Sequence, residues 1–334
     1  MRAKVVVLAL SAYAVFGQDA ARVFQLHHID SAEDLRDFTM VVRTLADLPD
    51  ARIDDAQKTL SVRGTPSQVA IAEFLFTELD RQTVPDSVTQ EFRVPSNSDD
   101  IVRLFFLHNA ATVADFQQVA TTVRTIVEIR RVFGYNTPRA LALRGTADQM
   151  AAAEFIVREL DQPADPKRVN SREIQMIDTS KFPATQVRVF YLPYAATVQQ
   201  FQEVATMIRT VAEIRRVFTY NSNRAMILRG TPDQMALAGW FIEELGKPVT
   251  AGTASRKYTY VVVGRDDENL VRIFYVKDTP TVAAFQQVAT QIRTGTGMRR
   301  VFTYNESRAL AVRGTEAQLA TAEQLLQDRQ IASK

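Results

Sequence analysis

Apolar and polar positions alternate along this chain in two rhythms, one of period two and one of period 3.6, and the same succession of rhythms returns four times. In the third occurrence VRVFYL (187–192) is β-prone, and TVQQFQEVATMIRT (197–210) spaces Val198, Phe201, Val204, Ala205 and Ile208 as one face of a helix. RRVFTYN (215–221) and RAMILRG (224–230) then read as two strands joined by a tight polar turn at 221–223. A second helix is predicted after Gly230. Its start is marked in every copy: Thr65, Thr146, Thr231 and Thr315 each precede a glutamine by three, at Gln68, Gln149, Gln234 and Gln318. That spacing is a capping box, in which the threonine hydroxyl and the glutamine amide satisfy backbone N–H groups that a helix start leaves unpaired. Pro66 and Pro232 stand at the first helical position, where a missing N–H costs nothing. The unit reads βαββα.

LSVRGT (60–65), LALRGT (141–146), MILRGT (226–231) and LAVRGT (310–315) recur every 81 to 85 residues, so the chain is a tandem array. Segments 102–161 and 187–246 align without gaps, with about 36 of 60 positions identical. The connectors at 81–101, 162–186 and 247–270 each contain an alternating segment, VTQEFRV, SREIQMID and KYTYVVV, which predicts an extra edge strand for the unit that follows. The expected organisation is an α+β chain with units at 22–80, 88–161, 171–246 and 256–329. Each has two helices on one face of a small sheet, units two to four carry the added strand, and the units stack head to tail.

The pattern VRVFYLPYAATV…LRGTPDQMALAGWFIEEL resembles the periplasmic N-domains of bacterial secretins, ring-building βαββα modules also called NolW-like. The VFxL strand and the RGT turn carry most of the resemblance, which extends over all four units. It implies an interaction module of the cell envelope. A secretin continues into a pore-forming β-barrel domain, whereas this sequence ends at Lys334 soon after the fourth unit, so the expectation is that this chain alone forms no pore.

In DARIDDA (50–56) of the first unit, Ala51 and Ile53 are the inward residues, so Arg52 and Asp54 point away from the unit's own core. By alignment the same outward face carries Phe133 and Tyr135 in unit two, Phe218 and Tyr220 in unit three, and Phe302 and Tyr304 in unit four. On the first strand the outward position reads Gln25, Phe106, Tyr191 and Tyr275. Three such rings expose roughly 450 to 750 Å² per sheet, at or beyond the largest apolar patch usual on a monomer, and predict a covered face. On the second helix Phe74 lies opposite the core stripe; its equivalents are Phe155, Trp240 and, in the last unit, Gln324. The first unit is thus polar on its sheet and the last on its second helix. The expectation is that the second helix of each unit covers the aromatic sheet of the next, with an external partner as the alternative occupant.

Composition changes the picture in three places. Forty Lys and Arg against 38 Asp and Glu leave no net field to gather nucleic acid or an anionic membrane. The absence of cysteine excludes disulfides and thiolate metal sites. The opening MRAKVVVLALSAYAVFGQDA has a basic start, an apolar run from Val5 to Phe16 and a small residue at Gly17, which predicts a signal peptide over 1–17, with a buried strand as the alternative. No later stretch approaches the roughly 20 apolar residues of a membrane span.

Candidate chemistry is sparse. His27, His28 and His108 do not recur as a ligand set, RTGTGMRR (293–300) follows a helix instead of a strand and so lacks the context of a phosphate loop, and no nucleophile, base and orienting group assemble from spacing. Gly295 and Gly297 are expected to shorten the preceding helix. Arginine alone recurs, and Arg63, Arg144, Arg229 and Arg313 before the RGT glycine form a candidate row for an anionic partner. The function expected is a non-catalytic, exported scaffold or adaptor, without cofactor or metal, that engages a protein of the cell envelope, either a secretin or another copy of itself. The competing class is a KH-like nucleic-acid-binding repeat; it needs a GxxG backbone clamp that this sequence lacks.

Overall fold

A computed structural model describes residues 20–332 apart from 30, 82–88, 96–98, 137–138, 164, 166, 169–170, 177–184, 250–254, 260–269 and 277. The expected leader at 1–17 and parts of all three connectors, including one end of each predicted alternating segment, lie outside the described residues. The chain is α+β, and its elements repeat the βαββα order four times. The first repeat is β1 (Ala20–Gln25), α1 (Ala32–Leu45), β2 (Asp50–Asp54), β3 (Thr59–Gly64) and α2 (Pro66–Leu79). The second is β4 (Thr89–Arg93), β5 (Ile101–Phe106), α3 (Val113–Val127), β6 (Arg131–Tyr135), β7 (Ala140–Gly145) and α4 (Ala147–Leu160). The third is β8 (Arg172–Met176), β9 (Thr185–Tyr191), α5 (Val198–Val211), β10 (Arg216–Tyr220), β11 (Ala225–Gly230) and α6 (Pro232–Gly246). The fourth is β12 (Arg256–Thr259), β13 (Leu270–Tyr275), α7 (Val282–Thr296), β14 (Arg300–Tyr304), β15 (Ala309–Gly314) and α8 (Glu316–Ala332).

Every strand pair is antiparallel. The first sheet is ordered β1-β3-β2; the others are β4-β5-β7-β6, β8-β9-β11-β10 and β12-β13-β15-β14. The alternating connector segments supply the fourth strand, and one side chain of each recurs in register: Phe92 stands opposite Val102, Ile174 opposite Val187 and Tyr258 opposite Val271.

The capping boxes explain the RGT glycines. In α2 and α6 the threonine oxygen accepts from the glutamine N–H while the glutamine side chain accepts from the threonine N–H, and the same two bonds open α4 and α8. That folded-back amide sits where a Cβ would go: the glutamine Oε1 lies 2.6, 2.5, 2.6 and 2.7 Å from a Cβ built on Gly64, Gly145, Gly230 and Gly314. Any side chain there would break the cap. The glycines of the last first-type helix do not shorten it. α7 runs 15 residues, as α3 does, with Gly295 inside it and Gly297 as a left-handed cap at φ 67°.

The chain forms two compact bodies. One comprises the residues up to His108 together with Ile129–Met150; the other comprises Asn109–Glu128 and everything from Ala151 onward. The division falls inside the second repeat because α3 packs on β10 and β11 of the third. In the first body Leu35, Phe38 and Val42 of α1 and Val69, Ala72 and Leu75 of α2 cover Leu60 and Val62 of β3. In the second body Phe201, Val204 and Ile208 of α5 pack with Met235 and Ala238 of α6, and Phe285, Val288 and Ile292 of α7 with Leu319 and Ala322 of α8.

Candidate interaction site at the repeat seams

The helix that covers a neighbouring sheet is the first of each repeat, not the second. Within the first body α1 packs on β6 and β7; within the second α3 packs on β10 and β11, and α5 on β14 and β15. This corrects the sequence expectation. The first helix has two working faces: on α5, Phe201, Val204, Ala205 and Ile208 point into its own repeat, while Gln200, Glu203, Met207 and Val211 form an adjoining stripe at helical spacing. Met207 and Val211 are fully buried, Gln200 donates to Glu306 at 2.6 Å, and Glu203 accepts from the Asn305 backbone at 2.9 Å. In the fourth repeat the matching positions are Ala284, Gln287, Gln291 and Gly295, of which the last three are exposed. The stripe is thus engaged where a further sheet follows and exposed in the last repeat.

Each docked helix ends in the same ion cluster. The chain leaves α1, α3 and α5 through a non-glycine residue in the left-handed region, Asp47 (φ 52°), Glu128 (φ 62°) and Glu213 (φ 54°). A side chain in that conformation costs on the order of 1 kcal/mol, which is why glycine usually stands there. The acid offsets the cost by clamping two arginines of the next sheet. Arg144 Nη1 donates to the Leu45 carbonyl at 2.6 Å and to Asp47 at 3.2 Å, and Arg131 joins Asp47 at 2.8 Å. Arg229 Nη1 donates to the Ile126 carbonyl at 3.1 Å and to Glu128 at 3.3 Å, with Arg216 on the same carboxylate. Arg313 Nη1 donates to the Val211 carbonyl at 3.1 Å and to Glu213 at 3.3 Å, with Arg300 Nε at 3.0 Å. Each cluster therefore satisfies an unpaired helix-end carbonyl and a charge in one place. At 2.8 and 2.6 Å the Arg144 guanidinium also takes both oxygens of Asp100, whose carboxyl its hydrogen bonds hold below the usual range.

These contacts redefine the arginine row. Arg144, Arg229 and Arg313 have side chains 11%, 4% and 0% exposed and face a helix end, so they are not presented to an anionic polymer. Arg63, their equivalent, is exposed on the first repeat, where Asp50 stands opposite it in the position that Arg131, Arg216 and Arg300 occupy elsewhere.

The sheet aromatics lie at the same seams. Phe106 and Tyr135, with Leu104 and Ala142, are buried in the core of the first repeat, and half-buried Phe133 packs on it. Tyr304 is buried in the core of the third repeat, with Tyr275 and Phe302 packed against it. Tyr191 and Tyr220 are 4% and 2% exposed, and half-buried Phe218 stands on β10, under α3. Two phenols reach the second helices: Tyr191 donates to the Glu159 carbonyl at 3.1 Å and Tyr275 to the Glu244 carbonyl at 3.4 Å.

The outward residues of the second helices meet the added edge strand instead of the aromatic hairpin. Phe74 stacks on Phe92 with centroids 5.5 Å apart, and Trp240 lies 5.2 Å from Tyr258. Phe155, 6% exposed, shares a surface cleft with Ile174. Trp240→Arg removes the ring contact and puts a charge beside Tyr258, so the third and fourth repeats should lose about 2 kcal/mol and melt roughly 4 to 8 °C lower. An unchanged melting curve would contradict this seam.

Among the described residues no three His, Asp or Glu side chains converge as a metal site requires, and no helix is long and apolar enough to cross a membrane.

No protein-family model and no curated protein matches the chain. Among solved structures it is similar to ExeD of Aeromonas hydrophila (14% identity, TM-score 0.17, 69% of this chain and 41% of that one). It is also similar to the N-terminal domain of the secretin XcpQ from Pseudomonas aeruginosa (12%, 0.19, 43% and 62%). The aspartate kinase of Synechocystis superposes at a comparable level (12%, 0.16, 93% and 54%). At such TM-scores these likenesses carry no weight of their own, and the chain spans less than two thirds of either secretin structure.

Proposed function

We propose that this chain is an exported, non-catalytic scaffold of the bacterial cell envelope whose work is to bind protein, with a secretin-type assembly as the partner. The observation that carries the reading is the seam itself: one chain makes the same helix-on-sheet contact three times, with a dedicated ion cluster and a buried aromatic hairpin each time. A module whose recurring task is to mate with another of its kind is an interaction module, in line with the resemblance of its VFxL and RGT segments to secretin N-domains. The terminal faces support a partner other than the next copy of this chain. The fourth repeat has Gly297 in place of the clamping acid, and the first has Asp50 in place of one clamped arginine. A copy-to-copy seam of the internal kind would lack its ion cluster.

The test is to pass the chain, freed of residues 1–17, over immobilised periplasmic domains of a secretin and to record light scattering in parallel. Saturable binding by a monomeric chain is the expected result. A chain that ignores the secretin and instead binds RNA in a salt-dependent manner would replace this reading with the nucleic-acid one.

A further inference from the structure

We propose that Glu78 makes the seam between α2 and the second sheet responsive to pH, held more firmly in mild acid than at neutrality. Glu78 lies near the end of α2, which packs on β4, and is only 8% exposed. Its Oε1 accepts from Arg81 just beyond the helix, while its Oε2 is buried without a hydrogen-bond partner. The second helices of the next two repeats carry the same glutamate, as Glu159 and Glu244, and show what surrounds it there. Tyr191 of β9 donates to Glu159 Oε2 at 3.2 Å, and Arg172 of β8 lies 3.7 Å from Oε1. At Glu244, Lys247 pairs with Oε1 as Arg81 does at Glu78, and Arg256 of β12 lies 3.3 Å from Oε2.

The first seam lacks both of these cross-seam groups. Arg172 stands opposite Val189 and Arg256 opposite Ile273; the residue of β4 in that register, opposite Leu104, is the uncharged Gln90. Phe106 of β5 occupies the place of Tyr191 and Tyr275 and has no hydroxyl to donate. A carboxylate with a bare oxygen in a buried place costs more than the neutral acid does. Burial accordingly pushes the Glu78 carboxyl above its ordinary value of 4.5, against the pull of Arg81, which among the described residues is the charged group acting on it. The folded chain then takes up this proton at a pH where the unfolded chain has not. The resulting stability is fully present below the unfolded value and is lost as pH rises through the folded one. Asp100, in the same body, runs the other way: Arg144 holds it low, so its contribution is lost only as pH falls through that lowered value, beneath the Glu78 window.

The test needs no partner, so its outcome is independent of whether the chain binds a secretin. Side-chain carboxyl resonances of the full chain are followed by carbon NMR from pH 8 to pH 3, with Glu78 assigned by its loss in Glu78→Gln. The Glu78 carboxyl is expected to titrate above the ordinary glutamate value. Phe106→Tyr supplies the missing donor and should bring that titration down. The same variant should melt about 4 °C higher at pH 7, a gain that shrinks toward pH 4 as the carboxyl of the unmodified chain becomes neutral. Should Phe106→Tyr fail to fold, Gln90→Arg supplies the missing cation from the strand side and serves the same purpose. A Glu78 carboxyl that titrates at or below the ordinary value, or a gain from the added group as large at pH 4 as at pH 7, overturns the proposal.

Discussion

Arg313→Ala is expected to be among the most damaging single substitutions in the chain, lowering stability by about 3 kcal/mol through a buried helix-end carbonyl left without its donor and the void that truncation opens. Its guanidinium is fully enclosed and bonds both the Val211 carbonyl and Glu213. Truncation would leave a helix-end carbonyl without that donor, a carboxylate balanced by Arg300, and a void at the seam of the third and fourth repeats. For a body of this size that corresponds to a melting temperature lower by roughly 10 °C. Arg63→Ala at the equivalent position of the first repeat is the control. That side chain is exposed on a sheet with no docked helix described, and its loss should stay within about 0.5 kcal/mol. Equal losses for the two variants in thermal or urea unfolding would show that the clamp contributes nothing beyond a surface arginine.

Alkaline unfolding should be steep between pH 10 and 12. Burial pushes the phenols of Tyr220 and Tyr304 up to about 12, against an ordinary value of about 10, with Asp115 raising Tyr220 further and Glu306 raising Tyr304 further. Above pH 10 the unfolded chain releases these protons while the folded chain keeps them. The unfolded state then binds fewer protons, and stability falls as pH rises until the folded value is passed. Holding a phenol proton from about pH 10 to about pH 12 corresponds to roughly 2.7 kcal/mol, so the second body should lose on the order of 5 kcal/mol from these two alone. Tyr135 and Tyr194 are raised further still, in the first body and the second respectively. Tyrosinate absorbance followed alongside circular dichroism checks this. Phenols that titrate near pH 10 while the fold persists would place them in contact with water and refute the buried seams.

The secondary structure was legible because its signals are local. Thr-x-x-Gln before an apolar stripe states where a helix begins, and the polar turn between RRVFTYN and RAMILRG states where a hairpin reverses. Repetition then did the work of a comparison between proteins: the contrast between DARIDDA and RRVFTYN located a sheet face that is polar in one copy and aromatic in three. Phe74 and Trp240 do make the contacts that their place opposite the core stripe demands, but with the added strand and not with the aromatic hairpin. A strand's partner helix is a matter of where two elements meet in space, and the outward stripe of α5 reads as ordinary helix surface because Gln200 and Glu203 are polar and only Met207 and Val211 are apolar.

The amino-acid order by itself determined the four-fold βαββα succession, the added edge strands, the caps and the outward alternation of Phe and Tyr, since each depends on residues within a few positions of one another. The tertiary structure alone decided that the first helix docks on the next sheet, and that Asp47, Glu128 and Glu213 meet arginines about 85 to 100 residues away. Those pairings follow from desolvation and charge at surfaces that exist only once two folded layers touch, and no local spacing encodes them.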